Sequence, residues 1–252
     1  MCRKFGILIK KVILFLPKNQ IRNLNISIII PVFNEASSIN TLLTHLQSNL
    51  YDPLSTEIIV VDGGSNDNTI EVIKETKNIK VVTSPKGRGV QMNFGANLAK
   101  SEILYFLHAD SFPPMHFDKY IIEKIKTNNL AGCFRMVFDR KHIWLNLAGW
   151  FTQFNLKFFR GGDQSLFIDK QLFNKLEQFP TENPIFEDFE LIRKLYQINQ
   201  FTVIQSKIIS SARRYNDNGI AKLQYHYWMM YIKKWFGAST KELLDYYKKN
   251  IK

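Results

Sequence analysis

Cysteine is scarce. The 252 residues contain two, Cys2 and Cys133, too far apart to form a ligand-spaced pair, so neither a disulfide framework nor a structural zinc site is indicated. A reducing, cytoplasmic setting is the default. Acidic residues are also few, 22 Asp plus Glu against 34 Lys plus Arg, which leaves a net charge of +12. That balance favours an anionic partner such as nucleotide phosphate, nucleic acid or an acidic membrane surface. No nucleic-acid-binding motif accompanies the charge, so nucleic acid is not expected. The chain has neither a P-loop nor a G-x-G-x-x-G sequence, which removes ATPase and dehydrogenase readings. It also lacks an apolar run of membrane-spanning length. No internal repeat or low-complexity linker appears, as expected for a single domain.

Two segments nevertheless combine apolar and basic residues. In the leader, residues 1–24, Arg3, Lys4, Lys10, Lys11 and Lys18 interleave with Ile, Leu, Val and Phe. Such a segment either lies in the headgroup plane of an anionic membrane or packs on the domain. Near the C-terminus, residues 216–252 read as helical, with Tyr225, Tyr227, Trp228, Tyr231, Trp235 and Phe236 close to Lys233 and Lys234. Aromatic residues beside lysines suit a membrane interface or a packed helix equally.

Between these segments, residues 25–215 alternate strand and helix. Ile26–Val32 is a nearly continuous β-branched run, as expected of a strand buried on both faces. Helical spacing of Ile39, Leu42, Leu43 and Leu46 predicts a helix over 37–50, capped by Ser37 or Ser38. Strands follow at 57–61, Ile79–Thr83 and 103–107, with helices at 69–76 and up to Leu98. Four βα repeats in 110 residues predict an α/β domain with a Rossmann-like, mostly parallel sheet. The second half is less regular: a helix at Phe117–Lys126, a strand at 133–138, a long aromatic helix at 143–159, a turn at 160–163, a short strand at 165–168, and helices at 171–177 and 188–196.

Three acidic clusters end predicted strands or loops: Val61-Asp62-Gly63-Gly64-Ser65, Leu107-His108-Ala109-Asp110 and Phe186-Glu187-Asp188. In an open α/β sheet the face beyond the carboxyl ends of the strands is where ligands bind.

With Ser27-Ile28-Ile29-Ile30-Pro31-Val32-Phe33-Asn34-Glu35 ahead of them, these clusters resemble, in order and spacing, the motif series of family 2 glycosyltransferases. Gly87-Arg88-Gly89, Gln91-Met92-Asn93, Gly162-Asp163-Gln164 and Ser211-Ala212-Arg213-Arg214-Tyr215 resemble a small bacterial branch with no settled acceptor. The resemblance implies a GT-A type fold and an inverting enzyme that moves a single sugar from a nucleotide-sugar donor to an acceptor, possible acceptors including lipid-linked ones. It implies a divalent metal, Mn or Mg, while the basic apolar leader and the aromatic C-terminal segment lead to the expectation of a cytoplasmic protein in peripheral contact with the inner face of the cell membrane. Two alternatives are a sugar nucleotidyltransferase, which would want a Gly-rich loop after the first strand, and a non-catalytic membrane-associated module.

Within that frame the donor-binding candidates are Pro31, Phe33, Asn34, Glu35, Asp62, Gly63, Arg88, Gln91, Asp110, Arg213 and Arg214. The Asp62 carboxylate can accept the imide N3–H of uracil, which cytosine lacks, and this favours a uridine donor. Many family members carry a second Asp where Gly63 stands. Arg88, Arg213 and Arg214 suit diphosphate oxygens through their planar forks. Residues i and i+2 at a strand end point the same way, so Asp110 and His108 can face one cation. The family pattern is Asp-x-Asp, and His108 replaces its first acid. The catalytic candidates are Asp188 as the base that takes the acceptor proton, and Glu187 beside it.

Overall fold

The computed structural model describes residues 24–161, 164–181 and 187–251. The leader up to residue 23, Gly162, Asp163, Pro184 and Phe186 lie outside these.

β-Branched runs make the first strands, as their stiff side chains favour the pleated surface. β1 (Ile26–Val32) pairs in parallel with β2 (Thr56–Asp62) and β4 (Ile103–Phe106), and β2 with β3 (Ile79–Thr83). Beyond β4 the sheet changes direction. β7 (Leu166–Asp169) is antiparallel to β4 and to β6 (Ala131–Phe138). β6 runs parallel to β8 (Thr202–Ser210), and the two-residue β5 (Ser111–Phe112) closes the edge against β8. The eight-stranded order is β3-β2-β1-β4-β7-β6-β8-β5. The parallel half was legible in the sequence; the two-residue β5 was not.

Alternate residues of the central strands feed two core layers. Ile28, Ile30, Val60 and Tyr105 pack with α1 (Ile39–Asn49), α2 (Thr69–Lys74) and α4 (Phe117–Lys126). Ile29, Ile59, Val61 and Phe106 pack with α3 (Arg88–Leu98), α6 (Lys170–Lys175) and α7 (Glu187–Gln197). Helices thus cover both faces, which explains why β1 is buried along its whole length. After α8 (Arg213–Asn218), helices α9 (Ile220–Trp235) and α10 (Thr240–Asn250) form a small separate cluster around Leu223, Met230, Leu243 and Ile251.

One expectation is corrected. The aromatic helix predicted at 143–159 ends early, as α5 (Ile143–Phe151) followed by a 3-10 turn at Lys157–Phe159. The Thr152 hydroxyl, tied to Met136 N at 2.9 Å and to Gly149 O at 2.6 Å, stops the helix. Buried Arg160 then gathers the carbonyls of Thr152 (2.8 Å) and Phe154 (2.5 Å), with Gln164 Oε1 at 2.7 Å. Backbone oxygens that a longer helix would have used are satisfied by a guanidinium instead.

Candidate active site

The site is assembled at the carboxyl edge of β1, β2 and β4. The loop after β1 and the loop after β2 hold each other through short polar side chains. Asn34 adopts a left-handed conformation, φ 56°, which Asn tolerates better than most residues. Its N–H donates to Ser65 Oγ (2.9 Å), and its own Oδ1 accepts from Asn66 N (2.8 Å). Asp67 accepts from Ala36 N (3.2 Å) and from the Thr69 hydroxyl, and these bonds hold its carboxyl below the usual carboxylate range, the Thr69 bond most.

Asp62 is fully buried. Its carboxylate accepts from Gly64 N (2.8 Å), Ser65 N (3.0 Å) and Ser65 Oγ (2.5 Å). Those bonds take up most of its acceptor capacity, and through them Asp62 shapes the turn. Gly63, just past the end of β2, is buried. Gln91 lies beneath it, 4% exposed, and its amide donates to the carbonyls of Val32 and Val61, both at 2.8 Å. A Cβ at residue 63 would lie 3.0 Å from that amide. Gln91 therefore braces the ends of β1 and β2 from below, and Pro31 is buried within β1.

Phe33, partly exposed, carries the ammonium of Lys86 3.5 Å from its ring centroid, a cation–π contact. Gly87, at φ 146°, turns the chain into α3 through a region that side chains avoid. Arg88 opens that helix and pairs through Nε with Glu187 Oε1, while its Nη2 stands 3.7 Å from Asp188 Oδ1. Gly89 allows the approach: a Cβ there would meet Pro180 O at 3.2 Å and Glu187 Cβ at 3.5 Å. The two acids are not equivalent. The Glu187 side chain is 1% exposed and committed to Arg88, whereas that of Asp188 is 15% exposed. Of the two, Asp188 is the more exposed.

The opposite wall comes from the end of β8. Ser211 N donates to Asp110 O at 3.0 Å, which fastens the Leu107-His108-Ala109-Asp110 turn to β8. Arg213, at the start of α8, reaches Glu35 at 3.0 Å across 178 residues. The Glu35 hydrogen bond, joined by the nearby charges of Glu35 and Asp110, pushes the Arg213 guanidinium above its ordinary value. Arg214 beside it is exposed.

The sequence reading missed Lys234. At the C-terminal end of α9, its Nζ stands 4.4 Å from the Phe189 ring centroid. Burial pushes its ammonium below the usual lysine range, against the opposing pull of Glu190 and Asp188. The base candidate thus has two cations in its surroundings, Arg88 from α3 and Lys234 from α9. The signal available in sequence was the Lys233-Lys234 pair closing an aromatic helix.

Among the described residues, no group of three or more His, Cys, Asp or Glu side chains could hold a metal ion. The donor set on offer is Asp110, with His108 two residues away. One carboxylate suits an ion that takes its remaining ligands from water and substrate phosphate, as Mg commonly does. These residues fit a metal shared with a diphosphate and do not form an all-protein cage.

Comparison with known proteins agrees with this architecture. The chain is 36% identical over 105 residues to a dolichyl N-acetyl-α-D-glucosaminyl phosphate 3-β-D-2,3-diacetamido-2,3-dideoxy-β-D-glucuronosyltransferase of Methanococcus voltae, 39% of this chain and 33% of that protein. It is 33% identical over 94 residues to the glycosyltransferase AglE of Haloferax volcanii, 35% of this chain and 31% of that protein. The matches therefore span about a third of these curated relatives. Among solved structures, S. aureus TarS 1-349 superposes with a TM-score of 0.63 at 19% identity, over 75% of this chain and 61% of that one. The Pyrobaculum calidifontis mannosyltransferase PcManGT, solved with GDP-Man and Mn2+, superposes with a TM-score of 0.59 at 19% identity, over 89% and 67%. The fold is that of the GT-A glycosyltransferases. Residues 27–175 match the model of glycosyl transferase family 2, and the chain belongs to that family.

Proposed function

We propose that this chain transfers a single sugar, with inversion, from a nucleotide-sugar donor to an acceptor hydroxyl, with a divalent metal at Asp110. The observation that carries the reading is the convergence on one sheet edge of acids and arginines from separate segments: Glu35 with Arg213, and Glu187 and Asp188 with Arg88.

In this reading the loops after β1 and β2 and the start of α3 cradle the nucleotide. The open face of Phe33 offers a stacking surface to a base, since every base has a π-face. Lys86, now on that ring, and Arg88, Arg213 and Arg214 supply cations for the diphosphate, the arginines as planar forks. Asp110, with His108 as a further ligand, would hold the metal, whose chemistry is to neutralise charge on the departing nucleotide. Asp188 takes the acceptor proton as its oxygen attacks the anomeric carbon. Arg88 and buried Glu187 hold Asp188 in place, because a base must stand within hydrogen-bond reach of the proton it removes.

A uridine donor is the form we favour. TarS 1-349 has been solved with UDP, and the glucosyl-3-phosphoglycerate synthase of Mycobacterium tuberculosis with UDP and Mn2+. With Asp62 occupied by its own turn, discrimination between bases falls to backbone groups around Gly63 and Gly64. The acceptor class we favour is lipid-linked, at the cytoplasmic face of a membrane. The basic charge and the exposed aromatic residues of α9 support it, and no helix among the described residues is long and apolar enough to cross a membrane. The test is donor hydrolysis: with Mn2+ the protein should release UDP slowly from a UDP-sugar into water, and Asp188→Asn should not. Absence of any release from a panel of sugar nucleotides would overturn the reading.

A further inference from the structure

We infer that the outer face of α5 and the turn after it form a docking surface for an anionic lipid bilayer; this rests on the membrane-side reading above and names the surface that serves it. Helix α5 presents two unlike faces. Leu145 and Gly149 lie against β6, where a Cβ on Gly149 would stand 3.0 Å from Met136 O. The opposite face carries Ile143, Trp144, Leu147 and Trp150, and the chain beyond it adds Phe154, Leu156 and Phe158, all substantially exposed. Trp144 is 60% exposed, Trp150 47% and Phe158 89%. Seven large apolar side chains within 16 residues make a continuous stripe of the kind that marks an interaction surface.

Charge identifies the occupant. From Arg140 to Gly161 there is no acidic residue, while Arg140 and Lys141 precede the stripe and Lys157 lies within its far end. An apolar face rimmed by cations, with tryptophans among the exposed residues, matches the interfacial layer of an anionic membrane. Position agrees with chemistry. The chain enters α5 from the end of β6, where Asp139 N donates to Ser210 O (3.1 Å) and Asp139 Oδ1 accepts from Ala212 N (2.8 Å). Ser211, between those two residues, holds the Asp110 turn. The stripe therefore begins at the same sheet edge as the active site, where an acceptor carried by the bilayer would arrive.

The test is vesicle co-sedimentation of the full chain, using equal phosphatidylglycerol and phosphatidylcholine against phosphatidylcholine alone, with three proteins: wild type, W144S/W150S/F158S, and K10Q/K11Q. Circular dichroism and thermal unfolding check that each is folded. Wild type should bind the anionic vesicles only, with binding weakened by salt. The stripe variant should lose at least tenfold in partitioning, and K10Q/K11Q less than threefold. In a W228F/W235F background, which leaves Trp144 and Trp150, brominated lipid should quench fluorescence. If the stripe variant binds like wild type, the inference fails while the membrane reading stands, and a large loss in K10Q/K11Q alone would assign docking to the leader. If wild type ignores the vesicles, both fail. A dimer in solution that the stripe variant converts to monomer, without vesicle binding, would make the face a self-interface and overturn the proposal.

Discussion

Arg88 opens α3 by holding the two acids that open α7, its Nε on Glu187 and its Nη2 3.7 Å from Asp188 Oδ1. The pair is separated by 99 residues, so the contact fixes one half of the domain against the other at the point where chemistry is expected. It also divides the labour between neighbouring acids. Glu187, buried and paired, anchors the arginine; Asp188, partly exposed, is the acid proposed to meet the acceptor.

Asp188→Asn should therefore lower turnover by roughly a hundredfold or more, the usual loss for a general base, with donor affinity within about threefold of wild type. Glu187→Gln should lower turnover less than Asp188→Asn does, since it disturbs position and not proton transfer. Nucleotide release assays and donor titrations on both variants check this. Full activity in Asp188→Asn would place the base elsewhere.

Asp110→Asn should remove the benefit of metal for donor binding, because it deletes the carboxylate offered to the diphosphate cation. By calorimetry, Mn2+ should tighten UDP binding to wild type by tenfold or more and leave the variant nearly unchanged. Equal tightening in both would move the metal site away from the Asp110 turn.

The Glu35 and Arg213 pair is partly exposed, and such pairs couple by only about 0.2–1 kcal/mol. A double-mutant cycle in urea should fall in that range, whereas Arg213→Ala alone should weaken nucleotide diphosphate binding by tenfold or more. Because Glu35 and Asp110 hold the guanidinium above its ordinary value, its contribution should respond to salt and not to pH. A coupling of several kcal/mol in stability would instead make the pair a structural clasp.

Gly95→Ala separates helix propensity from packing. Propensity alone favours alanine by up to about 1 kcal/mol. A Cβ at residue 95, however, would sit 2.5 Å from Ile29 Cγ2 and 3.0 Å from Val61 Cγ2. Overpacking of this kind costs about 1–3 kcal/mol, so the denaturation midpoint should fall. A rise would mean that α3 can lift from the sheet at little cost.

Much of this molecule is legible in the sequence where one period dominates. The β-branched runs of β1 and β2 and the spacing of Ile39, Leu42, Leu43 and Leu46 point to a parallel α/β sheet because local preference and burial agree there. The second half resists the same reading. β5 has two residues and exists only because β8 runs beside it, and α5 stops where Thr152 finds Met136, a partner no local pattern reveals. The acids at strand ends were visible as candidates, but their environments were not. Asp62 and Gln91 carry chemistry suited to a ligand and also hydrogen-bond the scaffold, and Lys234 comes near Asp188 only through the packing of α9.

The most direct measurement is thermal unfolding with UDP, GDP, CDP and ADP, each with and without Mn2+. A nucleoside diphosphate at 100 times its dissociation constant adds about 2.7 kcal/mol, which raises the midpoint of a chain this size by several degrees. The expected result is a metal-dependent shift, largest for UDP. Equal shifts for all four would remove the uridine assignment alone. No shift with any nucleotide, with or without metal, would contradict a nucleotide-sugar enzyme altogether.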